Sequence, residues 1–194
     1  MTARISLDPP RTLLFRAVSW YSNRTYGRVI APVRATAHHT EVLWAGLRFE
    51  LAVGRWKALD PQLKALAVMT SASTIGCSWC MDFGYWENHR QGMDTRKLRD
   101  VPVWRESEAY TPLERDVMEY AEAMSLTPPE VGDELVDRLR TALGEKALIE
   151  LTTMVAVENM RSRTNSALGL TSQGFKDQCE VPRPAAQGTA DSSH

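Results

Sequence analysis

The sequence predicts an all-α fold, a single domain built as a bundle of about six to seven helices. Three observations carry this expectation. Apolar residues recur every three or four positions in successive segments, helix start and stop residues bracket those segments, and no stretch shows the apolar-polar alternation of a half-buried strand. At 194 residues and 43% hydrophobic composition, the chain can bury one sizeable core and is short for two. The expected organisation is an N-terminal helix and arm over residues 1–39, a helical domain over 40–170, and a largely disordered C-terminal tail over 171–194.

Leu14, Ala17, Val18 and Tyr21 place a first helix after Pro9-Pro10, with Gly27 at its end. Residues 28–37 hold Val29, Ile30, Pro32 and Val33 without a period and predict an irregular connector. Val42, Leu43, Leu47 and Leu51 give a second helix from about Thr40 to Gly54. Asp60-Pro61 is a compact start signal for a third: Asp caps free amides and Pro fits the first helical position. Leu63, Leu66, Ala67 and Thr70 follow on one face, and Gly76 supplies the left-handed residue that ends the helix and lets Cys77 open the next. That fourth helix runs to about Gly92, with a loop around Asp100-Val-Pro-Val-Trp104. Thr111-Pro-Leu-Glu114 is a capping box heading the stripe Leu113, Val117, Tyr120, Ala121 and Met124. Thr127-Pro-Pro-Glu130 is expected to repeat the device for Val131, Leu135, Leu139 and Leu143, stopped by Gly144. The last helix, from Ala147 to about Gly169, is apolar nearly all round and is expected to be central. From Thr171 no apolar period survives, and residues 180–194 have the composition of a disordered segment.

Lys and Arg number 23 against 24 Asp and Glu, a net charge of −1, so no basic footprint for nucleic acid or an anionic membrane exists. The N-terminus lacks the apolar core of a signal peptide and no apolar run approaches the ~20 residues that span a bilayer, so the expected location is cytoplasmic. In that reducing setting three cysteines do not make a disulfide scaffold, which turns attention to Cys77-Ser-Trp-Cys80.

Residues three apart on a helix are neighbours, close enough for an intramolecular disulfide, and a helix N-terminus stabilises a thiolate. Cys77 and Cys80 can therefore cycle between dithiol and disulfide; the plain alternative is that both pack as small hydrophobes. A zinc site needs about four ligands. Beyond the pair only Cys179 and His38, His39, His89 and His194 are available, none at chelating spacing, so neither metal nor cofactor is expected. Adjacent His38 and His39 cannot share a helix face and read as helix-start or surface residues.

Leu59-Asp-Pro-Gln-Leu-Lys-Ala-Leu-Ala-Val68, Ile75-Gly-Cys-Ser-Trp-Cys-Met-Asp-Phe83, Trp104-Arg-Glu-Ser107, the Thr-Pro-Leu-Glu-Arg helix and Asn159-Met-Arg161 together resemble the carboxymuconolactone decarboxylase and alkylhydroperoxidase D-like superfamily over approximately residues 40–170. The resemblance implies an AhpD-like helical bundle, a homo-oligomer (dimer, trimer or hexamer) and a thiol site of the form Cys-x-x-Cys-x-x-x-His with a Glu on the preceding helix. By position it makes Cys80 the attacking cysteine and Cys77 the resolving one, whereas helix-end electrostatics alone favour the lower pKa at Cys77. The sequence departs from that pattern: Gly84 stands at the His position and Ala65, twelve before Cys77, at that of the Glu.

At 100° per residue, Cys77, Cys80, Gly84, Glu87, Asn88 and Gln91 share a face, while Asp82 and His89 point nearly opposite. Glu87 is thus a candidate proton carrier, two turns from Cys80 across a gap at Gly84 that a water or substrate could fill. Asp82 is read as pairing with His89 or solvent. In the last helix Glu158, Arg161, Ser162 and Asn165 form a polar stripe that could line the active site, with Glu158 as a relay carboxylate; the alternative is a Glu158–Arg161 ion pair at an interface. Trp79, Phe83, Tyr85 and Trp86 are read as core or interface aromatics.

The functional expectation is a thiol-disulfide oxidoreductase that reduces a hydroperoxide or similar small-molecule oxidant through Cys80, with an external dithiol restoring the pair. The alternatives are a carboxymuconolactone decarboxylase-like enzyme acting on a small organic acid or lactone, and a non-enzymatic redox-responsive oligomer.

Overall fold

Residues 3–179 are described by the computed structural model, and among them every regular element is helical. α1 is Leu13–Tyr26, α2 Ala31–Thr36, α3 Thr40–Val53, α4 Pro61–Ile75, α5 Ser78–Arg90 and α6 Thr95–Asp100. A 3-10 turn, Val101–Val103, follows α6; α7 is Pro112–Ser125, α8 is Asp133–Ala167, and a last 3-10 turn covers Lys176–Gln178. At Gly144 (φ 75°, ψ 163°) the backbone leaves the helical region and breaks α8 into two segments.

The strongest start signals act locally. Asp60 accepts hydrogen bonds from the amides of Gln62 and Leu63, and Thr111 and Glu114 form the reciprocal capping box of α7. Gly76 (φ 79°) closes α4 in the left-handed conformation, and Cys77 is the N-cap of α5.

α4 is the central element, packing against α5, α7 and α8. Leu63 and Ala67 join Val117, Leu139, Leu151 and Val155 in one cluster; Ala65, Leu66 and Met69 join Tyr85, Leu98, Val101 and Met118 in another. Ala72, one turn further along, meets Cys77, Trp79 and Cys80. The helix that organises the core thus delivers its C-terminal end directly to the cysteine pair.

Four expectations are corrected. The connector over 28–37 contains α2, whose Ala31 and Ala35 are buried and whose Ala31 amide donates to the side chain of Gln173, 142 residues away. The stretch before residue 100 contains α6, capped by Asp94. Thr127-Pro-Pro-Glu130 does not start a helix: the Glu130 amide turns back to the Ala123 carbonyl of α7, and α8 begins at Asp133 after Gly132. α8 buries one side only; Ile149 and Met160 are 67% and 50% exposed.

The tail divides at the boundary of the described residues. Residues 180–194 lie outside them, whereas Phe175 is fully buried against Phe83 and Trp86 of α5. No described helix is long and apolar enough to cross a membrane.

Candidate active site

Cys77 and Cys80 are joined as a disulfide, with Cα atoms 5.3 Å apart. The N-cap geometry explains the juxtaposition: Cys77 precedes the first turn of α5 and its Sγ accepts the Cys80 amide at 3.2 Å. Both are buried, Cys77 at 2% exposure and Cys80 at 9%, so Cys80 is the more open of the two.

The C-terminal part of α8 crosses this pair with polar side chains spaced one turn apart. Ser162 Oγ lies 3.3 Å from Cys80 Sγ and 2.7 Å from Glu158 Oε1, and Asn165 Nδ2 reaches Cys80 Sγ at 3.4 Å and Cys77 Sγ at 4.0 Å. Ser162 has one hydroxyl hydrogen, so it can donate to Glu158 while accepting a thiol hydrogen from Cys80 once the disulfide is reduced. Thiol, hydroxyl and carboxylate then form a continuous proton path.

Glu158 is 3% exposed, and burial pushes its carboxyl up to about 7 against the opposing pull of Arg161 and Ser162. Arg161 Nη1 is 3.5 Å from Glu158 Oε2, while its Nε donates to Glu50 Oε1 at 2.9 Å and its Nη2 donates to Glu50 Oε2. Glu50, on α3, is the member of the site that sequence reading missed. Its partner lies 111 residues away, and nothing local marks it apart from other charges on an amphipathic helix.

Glu87 keeps solvent contact and makes no hydrogen bond to either sulfur among the described residues; the protein around it pushes its carboxyl up, opposed by the charge of Arg161. The gap expected at Gly84 is closed: a Cβ there would stand 3.4 Å from Cγ of Met69, so the helix packs on α4 at that point. Ala65 sits with Met69 and Tyr85 in the apolar cluster. The two positions that depart from the family pattern are therefore both occupied by core packing.

His89 stacks on Tyr85, with ring centroids 6.3 Å apart. Asp82 pairs neither with it nor with solvent. The Asp82 carboxylate is buried and accepts the amides of Gln173, Phe175 and Lys176 at 2.8, 3.1 and 2.8 Å. Burial alone would raise its pKa, but those three backbone donors outweigh it and hold the carboxyl below its ordinary range. Gln173 Oε1 in turn accepts from Trp79 Nε1 at 2.9 Å, tying this strap to the residue between the cysteines. The signal was legible: Asp82 falls within the stripe Trp79, Phe83 and Trp86, where a carboxylate must be buried and therefore bonded. Among the described residues no group of three or more His, Cys, Asp or Glu side chains is arranged to hold a metal ion.

The profile of the carboxymuconolactone decarboxylase family matches residues 40–123. The uncharacterised protein YnjA of Escherichia coli (strain K12) is 32% identical over 171 residues, covering 88% of this chain and 92% of that protein. The chain belongs to the carboxymuconolactone decarboxylase family. Its fold agrees: the alkylhydroperoxidase AhpD core of a peroxidase-related protein from Ralstonia eutropha JMP134 superposes with a TM-score of 0.80 at 15% identity, covering 93% of this chain and 98% of that one. The debrominase Bmp8, as a cysteine-to-alanine variant in complex with 2,3,4-tribromopyrrole, superposes with a TM-score of 0.78 at 19% identity, covering 91% and 97%. At these identities the structures establish a shared AhpD-like fold. Family membership and the Cys77–Cys80 pair support a thiol-based, AhpD-like role.

Proposed function

We propose that this family member is a thiol oxidoreductase that reduces a hydroperoxide at Cys80, with Cys77 as the resolving thiol and Glu158, acting through Ser162, as proton carrier. The observation that carries this reading is the run from Cys80 Sγ through Ser162 Oγ to Glu158 Oε1, with steps of 3.3 and 2.7 Å. A base whose pKa is near the working pH can both take and return a proton, which suits a Glu158 at about 7.

In the reduced protein the Cys80 thiol gives its proton through Ser162 to the Glu158 carboxylate. The resulting thiolate, stabilised by Asn165 and the start of α5, attacks one peroxide oxygen. The O–O bond breaks, Cys80 becomes a sulfenic acid, and the departing alkoxide takes the proton held by Glu158 to leave as an alcohol. The Cys77 thiol then attacks Cys80 Sγ, closing the disulfide, and the proton it loses goes to the departing hydroxide, which leaves as water. An external dithiol reduces the pair by exchange and is itself oxidised to a disulfide.

Reduced protein treated with an alkyl hydroperoxide should lose two titratable thiols per chain and yield one alcohol, and Cys80→Ser should do neither. An unchanged thiol count in the wild type would overturn the reading. Bmp8 suggests a second reading, because the two chains superpose almost end to end. The dithiol would then reduce a bromoarene, releasing bromide and the debrominated ring while closing the same disulfide. Thiol loss with 2,3,4-tribromopyrrole but not with hydroperoxide would favour it.

A further inference from the structure

We propose that Glu50 is a positioning residue for this site: by holding the Arg161 guanidinium at the surface, it keeps that charge from capturing Glu158 and leaves Glu158 able to exchange a proton with Ser162. This rests on the relay reading above and extends it to a residue on a different helix.

The geometry is asymmetric. Arg161 grips Glu50 with two donors, Nε and Nη2, in the paired fork that guanidinium and carboxylate favour. Towards Glu158 it offers only Nη1, at 3.5 Å, long against the roughly 2.7–2.9 Å of a charge-assisted bond. The exposures run the same way: the side chain of Glu50 is 44% exposed, that of Arg161 28%, and that of Glu158 4%. A cation free to choose would gain more from the desolvated carboxylate than from the exposed one. Glu50 draws it outward.

The other groups around Glu158 do not replace this control. Glu50 itself raises Glu158 by its charge; Cys80 of α5 meets Glu158 through Ser162, while Glu87 of α5 is coupled by charge to Arg161, Glu50 and Arg90, and Tyr26 of α1, held up to about 12 first by burial, is coupled to Glu87 and Glu50. From α8 come the neutral Ser162 and Asn165. Among the described residues Arg161 is the cation in contact with Glu158, so its placement, set against burial, bears directly on how readily Glu158 gives up its proton. A Glu158 locked in a tight ion pair would be a weaker base and would take the thiol proton poorly at neutral pH.

The test uses the full-length protein with the disulfide closed and its glutamate carboxyls carbon-13 labelled. The Glu158 resonance is assigned by its loss in Glu158→Gln, and its titration is followed in the wild type, Glu50→Gln and Glu50→Asp. Glu50 is exposed and outside the core, so these changes leave folding intact. The Glu158 midpoint should fall by about one pH unit or more in Glu50→Gln and stay near wild type in Glu50→Asp; in an Arg161→Gln background, where only the direct repulsion by Glu50 is lost, Glu50→Gln should lower it much less, and an equal fall there would overturn the positioning role. In the reduced protein the pH profile of the Cys80 reaction should move down with it. A midpoint in Glu50→Gln that is unmoved or higher would overturn the proposal and reduce Glu50 to a surface ion pair. The titration needs no oxidant, so a moving Glu158 without thiol loss to hydroperoxide would refute the peroxidase reading while supporting the role of Glu50.

Discussion

Cys80 and Cys77 differ in surroundings more than in position. Cys77 has the start of α5 around its sulfur, whereas Cys80 has the nearer approach of the Asn165 amide, slightly more exposure and a path through Ser162 to a buried carboxylate. Helix-end electrostatics alone favour Cys77 as the nucleophile; on the proposed reading the added polar contacts favour Cys80. If the proposed relay holds, with the ionised Glu158 carboxylate as base, the rate of peroxide-driven disulfide formation should rise with pH through about 7, as Glu158 ionises. Glu158→Gln should lose that limb and fall by about 100-fold, the usual scale for a general base. Stopped-flow profiles of the two proteins, in which thiol ionisation adds a limb common to both, check this. The same raised pKa carries a stability term of the opposite sense. The folded state favours neutral Glu158, so its stabilisation is full below the carboxyl's ordinary range and is lost as pH rises through about 7.

At the scale of elements, the strap over residues 172–176 is fastened to α5 by Asp82. Asp82→Ala removes the acceptor of three amides and should cost about 1–3 kcal/mol, since the strap can detach and rehydrate part of what it loses. Amide hydrogen exchange at Gln173, Phe175 and Lys176 should accelerate selectively. The depressed pKa sets the pH sense: the stabilisation is present above the ordinary aspartate range and is lost as pH falls through the lower folded value. Elements whose signals lie within a few residues were legible in the sequence. Asp60, Gly76 and Thr111 each satisfy amides or carbonyls of their own helix. Thr127-Pro-Pro-Glu130 has the same spelling as the α7 cap, but its backbone partner is the end of α7, which a local motif cannot reveal. α2 was missed because part of what holds it comes from Gln173, far along the chain. In the site, the α8 stripe could be seen by periodicity, while Glu50 and the strap depend on long-range contacts. Gly84 and Ala65, read from the sequence as missing relay members, are packing positions against α4 and its neighbours, and the proposed proton path comes instead from α8.

Over the whole molecule, apolar side chains remain exposed on α1, α3 and α8, among them Leu13, Trp20, Val42, Trp44, Leu51 and Ile149. Exposed apolar side chains of this size suit a partner surface, and the partner proposed is another copy of the chain, as a dimer, trimer or hexamer. Light scattering should give a mass of at least twice 21.8 kDa, and Trp44→Glu should lower it; a stable monomer in the wild type would contradict self-association. The central claim concerns which sulfur meets the oxidant, and intact-mass and peptide mapping test it most directly. After one equivalent of hydroperoxide and a sulfenic-acid trap, reduced Cys77→Ser should carry a single adduct at Cys80, and Cys80→Ser should carry none. An adduct on Cys77 in Cys80→Ser, with none on Cys80 in Cys77→Ser, would contradict the account.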